Sequence, residues 1–336
     1  MEDENHKARL AMTARPGTTA AAAAGVENAA DASRDASERD FLAELGTRVR
    51  HMRALRGMSR KTLAHVSGIS ERYLAQLESG AGNLSIMLLR RVAEATGAPI
   101  EDLVADAPPP PEWPLIRELL RRASPVTVDK VRQLLTARSG TEEPALRTPP
   151  VMVSRIALVG LRGAGKTTLG RIAAERLGWA FVELHKEIEA LTGLSLTEIF
   201  KLYGQEGYRR LEQKALMAVN ERPGPMIVAT SGGIVADPLT FDLLLTTFFT
   251  VWVRATPEEH MNRVREQGDL RPMADDRGAI DELIAILSSR EPLYGRARAV
   301  LDTSGKNVAA AATELVNLIE NYCERRCPWV TRHRSV

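Results

Sequence analysis

The stretch Ile156-Ala-Leu-Val-Gly-Leu-Arg-Gly-Ala-Gly-Lys-Thr-Thr168 decides the fold of the larger part of this chain. Four apolar residues lead into G-x-x-x-x-G-K-[ST], which runs from Gly160 to Thr167, and a helical pattern opens at Lys166. In this strand–loop–helix setting the glycines let backbone N–H groups converge on a phosphate. The helix N-terminus adds partial positive charge and Lys166 adds a full one. Gly160, Gly163, Ala164, Gly165, Lys166, Thr167 and Thr168 therefore form the expected phosphate cradle, with the Thr167 hydroxyl placed for Mg²⁺ if a nucleotide binds. Outward from the loop, Val153–Val159 reads as a strand, and strands alternate with helices through about residue 322. That alternation predicts a parallel α/β sheet.

Upstream the pattern is different. From residue 38 to 104 short helical patterns follow one another, broken at Gly57, Gly68, Gly80, Gly82 and Gly97. Ser59 is placed to cap a helix through Val66, and Ser70 to cap a second through Glu78. Gly68 lies between them, where a tight turn favours a residue without Cβ. Ala64, Ile69, Leu74 and Leu77 are the residues expected to fill the angle between the two helices. This is a helix-turn-helix, flanked by expected helices over Asp40–Arg56, Ser85–Thr96 and Ile100–Leu103. Residues 105–150 read as a linker, with the stiff run Pro108–Pro111 and short helices over Trp113–Ala123 and Thr127–Arg138. Residues 1–37, poor in large apolar side chains, read as a disordered arm, and residues 326–336 as a tail after an α/β domain over 151–325.

Composition sets the outer bounds. A chain of 336 residues with 44% hydrophobic and 26% charged residues is not wholly disordered, and its length suits two domains. Its longest apolar run, Leu243–Val253, has 11 residues where about 20 span a bilayer, so no membrane partner is expected. With Glu2, Asp3 and Glu4 at the start and no apolar stretch behind a basic region, no secretory signal is expected, and two cysteines make no disulfide framework. A cytoplasmic location follows. Cys323 and Cys327 are expected to be reduced thiols. The net charge of +2 hides a basic block: residues 48–72 hold seven basic side chains and one acidic one. Such a block points to a polyanion-binding face.

Residues 40–104 resemble the Cro/CI-like (XRE-type) DNA-binding domain, through Leu63–Ala64, the turn Gly68-Ile69-Ser70 and the ending Leu77-Glu78-Ser79-Gly80. The resemblance implies double-stranded operator DNA as partner. Arg60 and Lys61 would lie at phosphate or a base edge, and Ser70, Glu71, Arg72 and Gln76 would face the major groove. Gln pairs bidentately with adenine and Arg with guanine.

Residues 152–322 resemble the shikimate kinase family. The shared segments are Phe181–Glu189, Leu196–Phe200, Gly204–Glu212, Val228–Gly233, Arg271-Pro272, and Arg290 with Tyr294. The resemblance implies a three-layer P-loop fold with a lid near residues 262–278. Arg209 and Arg290 would grip a substrate carboxylate beside Gly232 and Gly233, and Arg271 would close on nucleotide phosphates. Where that family has Asp-x-Asp after the second strand, this chain has Glu183 and His185, and Ser231 interrupts the glycine triplet. Phosphoryl transfer rests on positioning and electrostatics, so these changes predict a ligand-binding domain that is not an enzyme.

Together the two halves resemble the BzdR/BoxR-type transcriptional regulators of benzoate degradation. The fold expected is thus multidomain: a five-helix all-α helix-turn-helix domain joined to an α/β shikimate kinase-like domain. The resemblance implies a dimeric repressor, released from DNA by benzoyl-CoA or a related aromatic acyl-CoA, with no required cofactor and with ATP and Mg²⁺ as alternative occupants of the cradle. The competing expectation is an active shikimate-type kinase fused to a DNA-binding domain.

Overall fold

A computed structural model of the chain describes residues 18–81, 85–105, 107, 110–136, 154–266 and 277–326. The first five helices are α1 (Thr18–Arg56), α2 (Arg60–Ser67), α3 (Glu71–Glu78), α4 (Ile86–Thr96) and α5 (Ile100–Val104). Serine caps set their starts: the side chains of Ser59, Ser70 and Ser85 accept from the backbone of Thr62, Tyr73 and Leu88. Gly68 and Gly97 end α2 and α4 at φ 66° and 62°, a left-handed conformation that glycine adopts without strain. Leu45, Val49, Met58, Leu63, Ile69, Leu74, Leu77, Leu89, Val92 and Leu103 form the buried core of this head, with Ala64 and Tyr73 packed at its edge.

One expectation is corrected here. Residues 18–37, read as disordered, continue α1, which is 39 residues long. The run Ala20–Ala24 carries the highest intrinsic helix propensity, and once the packed part of α1 has nucleated a helix each further residue adds at little cost. The linker helices stand where the sequence puts them, as α6 (Trp113–Arg122) and α7 (Pro125–Thr136). Arg117 of α6 holds Asp102 of α5 through two N–H···O bonds of 2.8 and 2.6 Å.

The C-terminal part is a sheet of β1 (Arg155–Val159), β2 (Ala180–Glu183), β3 (Met226–Ala229), β4 (Phe249–Arg254) and β5 (Ala299–Asp302). All are parallel, in the order β2-β3-β1-β4-β5. Its helices are α8 (Lys166–Leu177), α9 (Leu184–Thr192), α10 (Leu196–Glu221), α11 (Pro238–Thr247), α12 (Pro257–Glu266), α13 (Arg277–Tyr294) and α14 (Val308–Arg326). Side chains alternate across β1. Ile156 and Leu158 pack with α8 and α14 on one face, while Ala157 and Val159 pack with α9, α10 and α11 on the other. This makes three layers. The central strand β1 lies between β3 and β4, so the loop that leaves it opens at the carboxyl edge of the sheet, where ligands of open α/β folds bind. Among the described residues no helix is long and apolar enough to cross a membrane.

The head does not hang free. The end of α1 packs on α13, and α6 packs on α11.

Candidate functional site

The loop after β1 has the geometry its glycines permit. Gly160, Gly163 and Gly165 take φ values of 139°, 76° and 92°. A Cβ on Gly160 would stand 2.4 Å from the Val253 carbonyl oxygen, so no larger residue fits there. Gly165 is the N-cap of α8, and Thr167 and Thr168 are exposed on its first turn. Lys166 is buried and folds back on the loop, donating to the carbonyls of Gly160 at 2.8 Å and Leu161 at 2.9 Å. Burial first, and then the positive charges of Arg162 and Arg290, push its ammonium down to about 7. A cradle with amide donors and crowded cations fits an oxyanion such as a phosphate. The exposed Thr167 hydroxyl is an oxygen donor that would suit a Mg²⁺ ion if a nucleotide were bound.

His260 fixes the loop from behind, its Nδ1 donating to the Arg162 carbonyl at 3.1 Å. Burial holds this imidazole at about 4, against its ordinary 6.5, so it is neutral at physiological pH. Gly232 closes the other side: a Cβ there would approach the Arg162 backbone nitrogen to 3.0 Å. Thr230 anchors the approach, its backbone N–H and hydroxyl both donating to the Leu158 carbonyl.

The acceptor side departs from the sequence expectation. Glu183 ends β2 with its carboxylate taken by Arg171 and Lys186, each at 3.0 Å, with His185 at 3.7 Å. Burial works against its ionisation, but the hydrogen bond from Lys186 and the charges of Lys186, His185 and Arg171 outweigh it and hold the carboxyl below its ordinary range. Glu183 is therefore a neutralised link between α8 and α9, and His185 stands half exposed beside it. Arg209 lies over Gly233, where a Cβ would fall 2.1 Å from its guanidinium. It donates to Glu212 at 2.5 Å and to the Ser231 hydroxyl at 3.3 Å, so Ser231 supplies an acceptor where it was expected to intrude.

Arg290 is 5% exposed and does not face an open pocket. Its Nε and Nη2 donate to the Leu55 carbonyl at 3.0 and 2.9 Å, and its Nη1 to the Gly232 carbonyl at 3.0 Å, an oxygen that the Tyr294 hydroxyl also reaches. Leu55 belongs to α1, so the residue expected to hold a ligand carboxylate instead holds the DNA-binding head. Gln205 donates to the Arg56 carbonyl, and Arg56 donates to the Ala236 carbonyl at 2.9 Å. Arg271 lies outside the described residues, as does the middle of the expected lid, and so does Cys327.

On the head, Lys61 in the first turn of α2, Ser70, Glu71 and Arg72 at the start of α3, and Gln76 further along α3 are all exposed. The Ser70 hydroxyl is committed to the Tyr73 backbone as a cap. Arg60, part exposed at the start of α2, has its Nε and Nη2 donating to Glu78 at 3.2 and 3.0 Å. Glu78 is buried, and a buried carboxylate demands cations, so both Arg53 and Arg60 turn to it. Arg53, Arg56, Gln205 and His260 were missed in the sequence. Nothing local marks them, because each partner lies on a distant segment.

The family model described as shikimate kinase matches residues 162–320, and one described as helix-turn-helix matches residues 49–103. A shikimate kinase from a Synechococcus species is 35% identical over 162 residues, covering 48% of this chain and 80% of that protein. One from Moorella thermoacetica is 35% identical over 173 residues, covering 52% and 98%. Among solved structures, shikimate kinase from Acinetobacter baumannii in complex with shikimate is 30% identical, with TM-score 0.45, covering 49% of this chain and 92% of that one. The family match and the 35% identity to the two shikimate kinases overturn the expectation that the C-terminal domain is not an enzyme. The likeness covers 80% and 98% of those two relatives, and the changes at Glu183, His185 and Ser231 redraw the acceptor side without removing the cradle.

Proposed function

Since the chain belongs to the shikimate kinase family through its C-terminal half and carries a helix-turn-helix domain ahead of it, we propose a ligand-controlled DNA-binding regulator. The observation that carries this reading is the contact between the two parts. The head with its exposed α3 face is bonded, through the Leu55 carbonyl, to Arg290, the arginine at the position expected to hold a ligand. A ligand that changes this contact changes the position of α3.

The protein acts as a dimer on a two-fold site, because one helix-turn-helix covers too little DNA for tight specific binding. Lys61, Arg72 and Gln76, with Glu71 and the capped Ser70 beside them, face the groove. The effector is benzoyl-CoA or a related aromatic acyl-CoA, and its binding releases DNA of an aromatic-degradation operon. Its phosphates suit the cradle and the arginines at 209, 271 and 290. Its phenyl ring suits an acceptor side where the carboxylate at the end of β2, Glu183, is already occupied by Arg171 and Lys186. When ATP binds instead, Thr167 holds its Mg²⁺.

Phosphoryl transfer to shikimate is the second reading, favoured by the 35% identity to shikimate kinases and by Lys166, Arg209 and Arg290 standing at the family's positions. A gel-shift titration on DNA from upstream of this gene, at fixed salt, tests the first reading. Micromolar benzoyl-CoA should release the DNA, while free CoA and benzoate should not. Release by shikimate or ATP–Mg²⁺ alone, together with shikimate-dependent ADP formation, would contradict it in favour of the second.

A further inference from the structure

The last turn of α1 has two carbonyls that its own helix does not satisfy. Gly57 N–H returns to Ala54 and Met58 N–H to Arg53, which leaves the oxygens of Leu55 and Arg56. Both are capped from the other domain, Leu55 by two N–H groups of Arg290 and Arg56 by the Gln205 amide. These oxygens sit at the C-terminal end of a long helix, where the macrodipole places partial negative charge. The same Nε and Nη2 donors that here share one carbonyl oxygen are those a guanidinium offers to a carboxylate or phosphate. Gly57 makes the approach possible, since a Cβ at φ 70° would stand 2.7 Å from Nη2 of Arg290.

We propose that the Leu55 carbonyl is an internal stand-in for a ligand oxyanion, so that docking of the DNA-binding head and occupation of the Arg290 grip exclude one another. This rests on the ligand-controlled reading above and gives it a mechanism. Arg290 is almost wholly covered, its third bond runs to Gly232, and the face an oxyanion needs is the face Leu55 holds. Arg209 acts on Arg290 by charge and is itself held by Glu212 and the Ser231 hydroxyl, so Arg290 is the arginine whose donors the head occupies. The competing oxyanion has two sources, an acyl-CoA phosphate and a compact carboxylic acid.

Two substitutions weaken docking without touching the grip. Gln205→Ala removes the bond to Arg56. Glu282→Lys places a cation opposite Arg53, whose Nη1 lies 3.7 Å from the present carboxylate. Calorimetric titration of the full-length chain with benzoyl-CoA and, separately, shikimate reads the competition. Removing an internal competitor raises apparent affinity, here by about three- to tenfold for a contact worth one hydrogen bond. The probe that binds tighter to both variants identifies the source of the oxyanion. In the parent chain the same probe at saturation should speed amide exchange across residues 53–58. Equal affinity in parent and both variants, unchanged or slower exchange at saturation, or no binding of either probe would each overturn the proposal. A ligand that releases DNA while exchange stays unchanged would leave the regulator reading standing and sink this one. Tighter binding in the variants with no effect on DNA would do the reverse.

Discussion

Lys166 is a buried cation with no carboxylate against it among the described residues, held by two backbone carbonyls and crowded by Arg162 and Arg290. With its pKa near 7 in the ligand-free chain, it must gain a proton when a phosphate arrives. Affinity for ADP should therefore fall as pH rises above about 7, approaching tenfold per unit, and calorimetry at pH 6.5 to 8.5 in buffers of different ionisation enthalpy should show proton uptake. A flat profile would contradict this. His260 gives the opposite edge of the pH range. It is held near 4 in the folded chain and titrates near 6.5 when unfolded, so stability is intact above pH 6.5 and is lost as pH falls towards 4. The loss at the lower end is about 3 kcal/mol. A chemical-denaturation series over this range should show it, and His260→Phe should flatten that segment. In the head, Arg53 is the main partner of the buried Glu78, donating at 2.6 and 3.1 Å. Arg53→Met should lower stability by about 3–5 kcal/mol in denaturant melts, because it leaves the buried Glu78 with only the more exposed Arg60 and Arg50, at 3.0 and 3.9 Å.

At the scale of elements, α2 and α3 present their polar ends to solvent while Leu63, Leu74 and Leu77 hold them from beneath. Gln76→Ala and Arg72→Ala should each weaken DNA binding by about 1–3 kcal/mol if they read bases, with unchanged thermal stability because both side chains are exposed. Binding isotherms beside melting curves check the pair; a large stability loss would mean that α3 is a packing element. These elements were legible in the sequence because their determinants are local. Ser59, Gly68 and Ser70 fix the motif within a dozen residues, and Gly160 to Lys166 fix the strand–loop–helix of the cradle. The continuation of α1 back to Thr18 was not read, since alanines without an apolar face give helix propensity but no packing pattern. The commitments of Arg60 to Glu78 and of Arg290 to Leu55 were not legible either. The second joins residues 235 positions apart, and either arginine serves an anion or a carbonyl equally well by its chemistry.

At the scale of the whole molecule, the docked head converts a tethered domain into one with a fixed direction. On the proposed dimeric reading, two such heads would hold a set separation that two half-sites can match. Undocking leaves each head on the linker of residues 105–150, and the effective concentration of the second head at its half-site falls. This links ligand and DNA, and linkage is reciprocal: whatever factor the ligand takes from DNA affinity, DNA must take from ligand affinity. The most direct test is the affinity of the full-length chain for benzoyl-CoA measured with and without a saturating DNA duplex from upstream of its gene. The account predicts weaker binding in the presence of DNA, by the same factor that benzoyl-CoA weakens DNA binding. Equal affinities with and without DNA would contradict it.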